Sequence, residues 1–124
     1  MNKIERYLEN KMTDICISGR ESISAECHLS VDFPGFEGHF VDRPVLPGVC
    51  CIQVVVFLAK KLLDADVALK EVVQAKFIAI VTSGDRLNIT CKLKPVGDNL
   101  FSLKAVVEKG GKPAAKVDLR VEAL

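Results

Sequence analysis

The sequence of 124 residues has no surplus of either charge: seventeen basic and sixteen acidic side chains leave a formal net charge of +1. It has no basic stripe with interleaved aromatics, and aromatic residues amount to only 6%, so nucleic acid is not expected as a partner. Nor does any apolar run approach the roughly 20 residues needed to cross a bilayer. The longest, Val49–Ala59, has about eleven residues and contains Gln53. No apolar stretch of signal type follows the charged start Met1-Asn2-Lys3-Ile4-Glu5-Arg6, which predicts a cytoplasmic protein with no membrane span. The five cysteines, at 16, 27, 50, 51 and 91, are odd in number and form no Cys-x-x-Cys pair. That argues against a disulfide framework and against a zinc site, and leaves buried thiols as the expectation. Internal repeats and low-complexity segments are also missing, and the length accommodates one hydrophobic core, so a single domain over 1–124 is expected.

What the chain does have is an ordinary globular balance, 49% hydrophobic and 27% charged, and one stretch around which the rest is organised. Phe33-Pro34-Gly35-Phe36-Glu37-Gly38-His39-Phe40 is a turn rich in proline and glycine, continued by Pro44, Pro47 and Gly48. It runs directly into the apolar segment Val49–Leu63. That segment is too long for a strand and of ordinary length for a helix, in spite of its β-branched Val54-Val55-Val56. Pro47 suits a helix start and Lys60 and Lys61 suit its negative end. An element apolar on nearly every side is expected to be a buried centre.

Around it the pattern has mostly a period of two. Residues 3–10 place Ile4, Tyr7 and Leu8 on one side of a short amphipathic helix, and 13–18 read as a short strand stopped by Gly19-Arg20. Ile23, Ala25, Cys27, Leu29 and Val31 alternate with polar residues, with His28 pointing outward. After residue 66, four strands are expected. Their buried faces are Val73, Ala75, Phe77, Ala79 and Val81; then Leu87, Ile89, Cys91 and Leu93; then Phe101, Leu103, Ala105 and Val107; and last Ala115, Val117, Leu119 and Val121. Turns at Ser83-Gly84-Asp85, Pro95–Asn99 and Gly110-Gly111 join them as an antiparallel meander. The packing solution is α+β, a sheet curled round one helix. Ile78 and Ile80 give the strand at 72–81 a second apolar face, which a second subunit would cover.

The run Gly38-His39-Phe40 followed by Pro44-Val45-Leu46-Pro47-Gly48-Val49 resembles the active-site signature of the hotdog-fold 3-hydroxyacyl-[acyl carrier protein] dehydratases of fatty-acid synthesis. Phe77 with Gly84-Asp85 resembles a second, weaker motif, and the likeness covers roughly Ser30 to Asp85. The resemblance implies a homodimer acting on an acyl carrier protein or coenzyme A thioester, with no metal or organic cofactor. It also implies that His39 is the base and that the backbone N–H of Gly48 stabilises the thioester oxygen. Phe40, Pro47 and Val49 would line the substrate. Dehydration needs these parts, because a proton leaves C2, a hydroxyl leaves C3 and charge develops on the carbonyl.

The family's acid, fourteen residues after the histidine and reached across the dimer interface, corresponds here to Gln53. A carboxamide donates a hydrogen bond to a hydroxyl but does not protonate it. Val41-Asp42-Arg43 and Ile78-Ala79-Ile80-Val81-Thr82 also depart from the family pattern. Glu37 and Asp42 are near enough in sequence to supply an acid or to be solvated turn residues. Cys50 and Cys51 read as packing, with a nucleophilic role as the alternative. A hotdog acyl thioesterase and a non-catalytic acyl-carrier or acyl-chain binding protein stay open beside the dehydratase.

Overall fold

The structure, a computed structural model, describes residues 2–30, 32–34 and 45–124. Helix α1 spans Lys3–Lys11, capped by the Asn2 side chain on the Glu5 amide at 2.8 Å. Helix α2 spans Gly48–Leu63. The strands are β1 Met12–Ser18, β2 Ser22–His28, β3 Val67–Phe77, β4 Arg86–Gly97, β5 Leu100–Lys109 and β6 Lys112–Ala123. They form one six-stranded sheet in the order β1-β2-β4-β5-β6-β3, with every neighbouring pair antiparallel.

The period-two reading holds for β2, β4, β5 and β6. Ile23, Ala25 and Cys27 of β2 are buried, as are Leu87, Ile89, Cys91 and Leu93 of β4 and the inward residues of β5 and β6, with Phe101 half-buried. His28 is exposed, as expected, and Val31 lies outside the described residues. Gly110 and Gly111, at φ +60° and +79°, make the tight β5–β6 hairpin, whose twist requires positive φ at both central positions. Strand β4 runs on to Gly97, so the expected turn at Pro95 begins later, at Asp98.

Four expectations are corrected. The strands after residue 66 do not form a simple meander: β3 pairs with β6, and β4 with β2 and β5, so the segment with Ser83-Gly84-Asp85 crosses from one side of the sheet to the other. Strand β3 starts earlier and stops at Phe77, and as the outermost strand it buries little; Val73 and Phe77, expected inside, are exposed, whereas Val81 is buried. Bulges between Leu69 and Glu71 and between Val72 and Gln74 break its alternation, as is common on edge strands. Helix α2 is not apolar-buried all round, since Val49 is 65% exposed and Ile52, Gln53 and Val56 are half-buried. The thiols of Cys27, Cys50, Cys51 and Cys91 are buried, but Cys16 is exposed.

Candidate active site

Pro47, with φ −64° and ψ 148°, is the N-cap of α2 and not its first helical residue. Its carbonyl accepts from the amides of Cys50 at 3.0 Å and Cys51 at 3.2 Å. The amides of Gly48 and Val49, ahead of these, have no helical carbonyl to bond, and the positive end of the helix dipole lies there. The ring of Phe77 lies on Gly48, and a Cβ on Gly48 would sit 2.7 Å from one ring carbon and 2.8 Å from another. This close approach explains why a glycine and an aromatic stand at these two places. The groove they share, of about 280 Å³, is lined by Leu46, Gly48, Cys51, Phe77, Ile80 and Ala114 among others.

His39, Phe40, Glu37 and Asp42 lie outside the described residues. The chain on either side of them is held by backbone hydrogen bonds. Before them, Phe33 is buried, its amide bonds the Ser30 carbonyl at 3.0 Å, and the Gly84 amide bonds the Leu29 carbonyl at 2.9 Å. After them, Val45 bridges Thr82, and the Leu46 amide bonds the Val81 carbonyl at 2.7 Å. Asp85 braces that turn, accepting from the Thr82 amide at 2.8 Å and from Lys109 Nζ at 3.1 Å. Burial pushes the Asp85 carboxyl up, but the Thr82 N–H, the Lys109 ammonium and the Thr82 hydroxyl outweigh it and hold the group below the usual carboxylate range. The second motif read in the sequence is therefore the brace for the first.

Gln53 lies on another face of α2. It shares a groove of about 320 Å³ with Val49, one turn away, and with Ile52, Val56, Leu69 and Glu5. Five residues along a helix turn the side chain by roughly 140°, so one chain directs Gly48 and Gln53 into separate grooves. Glu5 is paired with Lys60 at 2.9 Å. The Glu5 hydrogen bond raises the Lys60 ammonium above its ordinary value. The Cys51 thiol is pushed up to about 11, by burial and by Cys50, and burial raises Cys50 as well. That is the opposite of an activated thiolate, which removes the nucleophile considered for these two cysteines. Among the described residues, no group of three or more His, Cys, Asp or Glu side chains could hold a metal ion, and no helix is long and apolar enough to cross a membrane.

Sequence reasoning did not find the cluster of Tyr7, Ser30 and Asp32. Tyr7 Oη lies 2.8 Å from Ser30 Oγ and 3.2 Å from Asp32 Oδ1, and Ser30 Oγ also donates to Asp32. The Ser30 hydroxyl foremost, with that of Tyr7, holds Asp32 below the usual carboxylate range despite some desolvation. No periodicity or spacing marks residues this far apart in the chain as neighbours.

The family model for ApeI-like dehydratases, described as ApeI dehydratase, matches residues 16–117. The chain belongs to that family. It is also 32% identical to a 3-hydroxyacyl-[acyl-carrier-protein] dehydratase, FabZ, of Burkholderia thailandensis, over 94% of this chain and 74% of the relative. Among solved structures it is similar to the dehydratase heterocomplex ApeI:P of Xenorhabdus doucetiae, with a TM-score of 0.74 and 19% identity over 90% of this chain and 96% of that one. A hypothetical thioesterase of Streptococcus pneumoniae, solved with coenzyme A, superimposes at a TM-score of 0.69 with 9% identity, over 90% of this chain and 84% of that one. At such identities the two structures speak to the fold alone. The dehydratase family and the α+β hotdog fold expected from the sequence are borne out.

Proposed function

We propose that the chain eliminates water from 3-hydroxyacyl thioesters to give trans-2-enoyl thioesters. The observation that carries the reading is the open N-terminus of α2 at Gly48, set under Phe77 beside an apolar groove. A thioester oxygen placed there meets the Gly48 N–H at the positive end of the helix, the arrangement that stabilises an enolate-like charge. His39 takes the C2 proton, Pro47, Val49 and Phe40 line the acyl path, and the amide of Gln53 donates to the 3-hydroxyl. Because Gln53 has no proton to give up, the imidazolium formed at His39 returns its proton to the departing hydroxyl. The C2–H and C3–O bonds break, the C2–C3 double bond forms, and water leaves with no external acid.

An acyl-carrier-protein thioester as substrate is supported by the name of the curated relative, a 3-hydroxyacyl-[acyl-carrier-protein] dehydratase. The direct test is the ultraviolet absorbance of the enoyl thioester formed from a 3-hydroxyacyl-carrier-protein substrate. Release of free thiol in its place would make the chain a thioesterase, and silence across short and long acyl chains would make it a binding protein.

The working unit in this proposal is a homodimer, in which Gln53 of one copy meets His39 and Gly48 of the other. Three features support it. Gly48 and Gln53 of a single chain lie in separate grooves. Among the described residues, strand β3 ends the sheet with one edge unpaired. Leu69, Val72, Val73, Phe77, Ile78 and Ile80 on and beyond it are all exposed, Phe77 by 52%, and an apolar edge of that extent is a pairing surface. Sedimentation velocity is expected to give a dimer, and Val72→Glu with Val73→Glu a folded monomer without turnover. A wild-type monomer, or a fully active double variant, would rule out the shared site.

A further inference from the structure

We propose that Tyr7 is a positioning residue for the segment that carries His39, its hydroxyl fixing the chain at Ser30 and Asp32, seven residues before His39 in sequence. The inference rests on the dehydratase reading above. It starts from the hydrogen bonds. The Ser30 amide donates to Tyr7 Oη at 3.1 Å. Each of the two hydroxyls has one proton, so a consistent set runs from Tyr7 O–H to Ser30 Oγ at 2.8 Å and from Ser30 O–H to Asp32 Oδ1, with the 3.2 Å approach of Tyr7 to Asp32 as the alternative. One phenol therefore engages both the backbone and the side chain of Ser30 and reaches Asp32.

The ring adds a second hold. Tyr7 meets Phe33 edge to face, with centroids 5.3 Å apart and planes at 66°, and Phe33 is 1% exposed. Helix α1 is in turn tied to α2 by Glu5–Lys60 at 2.9 Å and Glu9–Lys61 at 2.7 Å. Tyr7 thus joins α1, which is tied to the C-terminal end of α2, to Ser30, Asp32 and Phe33. The far side of the segment has its own fixed point in the Val45–Thr82 bridge. Misplacing a base by about 1 Å costs as much as 10²-fold in rate, so a tether this close to His39 in sequence bears on turnover.

A tyrosine that merely staples a helix to a sheet would show itself in stability alone. Tyr7→Phe separates the two roles, because it keeps the ring and its contact with Phe33 and removes only the hydroxyl. Its kcat is expected to fall about tenfold or more with KM within twofold, and Ser30→Ala to shift kcat in the same direction. Hydrogen exchange at the Ser30 and Phe33 amides supplies a readout independent of activity. Exchange there is expected to quicken at least tenfold in Tyr7→Phe while the amides of β5 keep their protection. An active parent whose Tyr7→Phe variant keeps kcat within twofold would overturn the proposal. So would unchanged exchange at both amides, even if the parent proved to have no dehydratase activity, an outcome that would separately defeat the reading of function.

Discussion

Replacing His39 by alanine is expected to reduce dehydration of a 3-hydroxyacyl thioester by about 10²- to 10⁴-fold, the usual contribution of a positioned acid–base group. The upper end is the more fitting, because in the proposed mechanism one imidazole both removes the C2 proton and returns it to the hydroxyl, so both halves of the elimination fail together. An imidazole, with an unperturbed pKa of about 6.5, is the side chain suited to both transfers near neutrality. What survives should be the contribution of the Gly48 amide and of binding in the groove under Phe77, which the substitution leaves alone. The measurement is the enoyl absorbance at saturating substrate, with far-ultraviolet circular dichroism to show that the variant is folded. Turnover within tenfold of the parent would remove His39 from the chemistry and with it the proposed mechanism.

Gln53→Glu should act in the opposite direction, raising turnover by roughly tenfold or more, because it places a dissociable proton beside the 3-hydroxyl. The groove around residue 53 favours this. Val49, Ile52, Val56 and Leu69 line it, and apolar surroundings raise a carboxyl pKa by disfavouring its charged form. The new acid would be protonated at mildly acidic pH and lose its proton as pH rises, so the gain should be largest below neutrality and shrink above it. Gln53→Leu, which keeps the bulk and removes the donor, should lower turnover below the parent. If both variants match the parent, position 53 faces no substrate, and the division of the site between two chains loses its main support.

The inner face of this fold was legible because one physical rule covers it. Each of β2, β4, β5 and β6 has one buried side and one more open side, so alternation in the sequence maps directly onto burial. The rule fails for β3, whose apolar residues Val72, Val73 and Phe77 are there without being buried within one chain. It fails again for strand order, since Ser83-Gly84-Asp85 has hairpin chemistry but closes a turn that faces the Val45 segment. In the site, Gly48 and Phe77 were each marked by a motif, but the close approach that joins them was not read from the sequence. The tie from Tyr7 to Ser30 and Asp32 left no such mark, as a single tyrosine on an amphipathic helix looks like any other core-facing residue.

The position of β3 in the sheet has a consequence for how the protein comes into being. Its hydrogen-bonding partner β6 begins at Lys112, 35 residues after β3 ends at Phe77. At about 5–20 residues per second on the ribosome, the completed β3 spends roughly 2 to 7 s before even the first residue of its partner is made. During that interval β3 lacks the strand it pairs with. Order of synthesis and order of assembly therefore run against each other here, and the sheet closes at β3 only after β6 has been made.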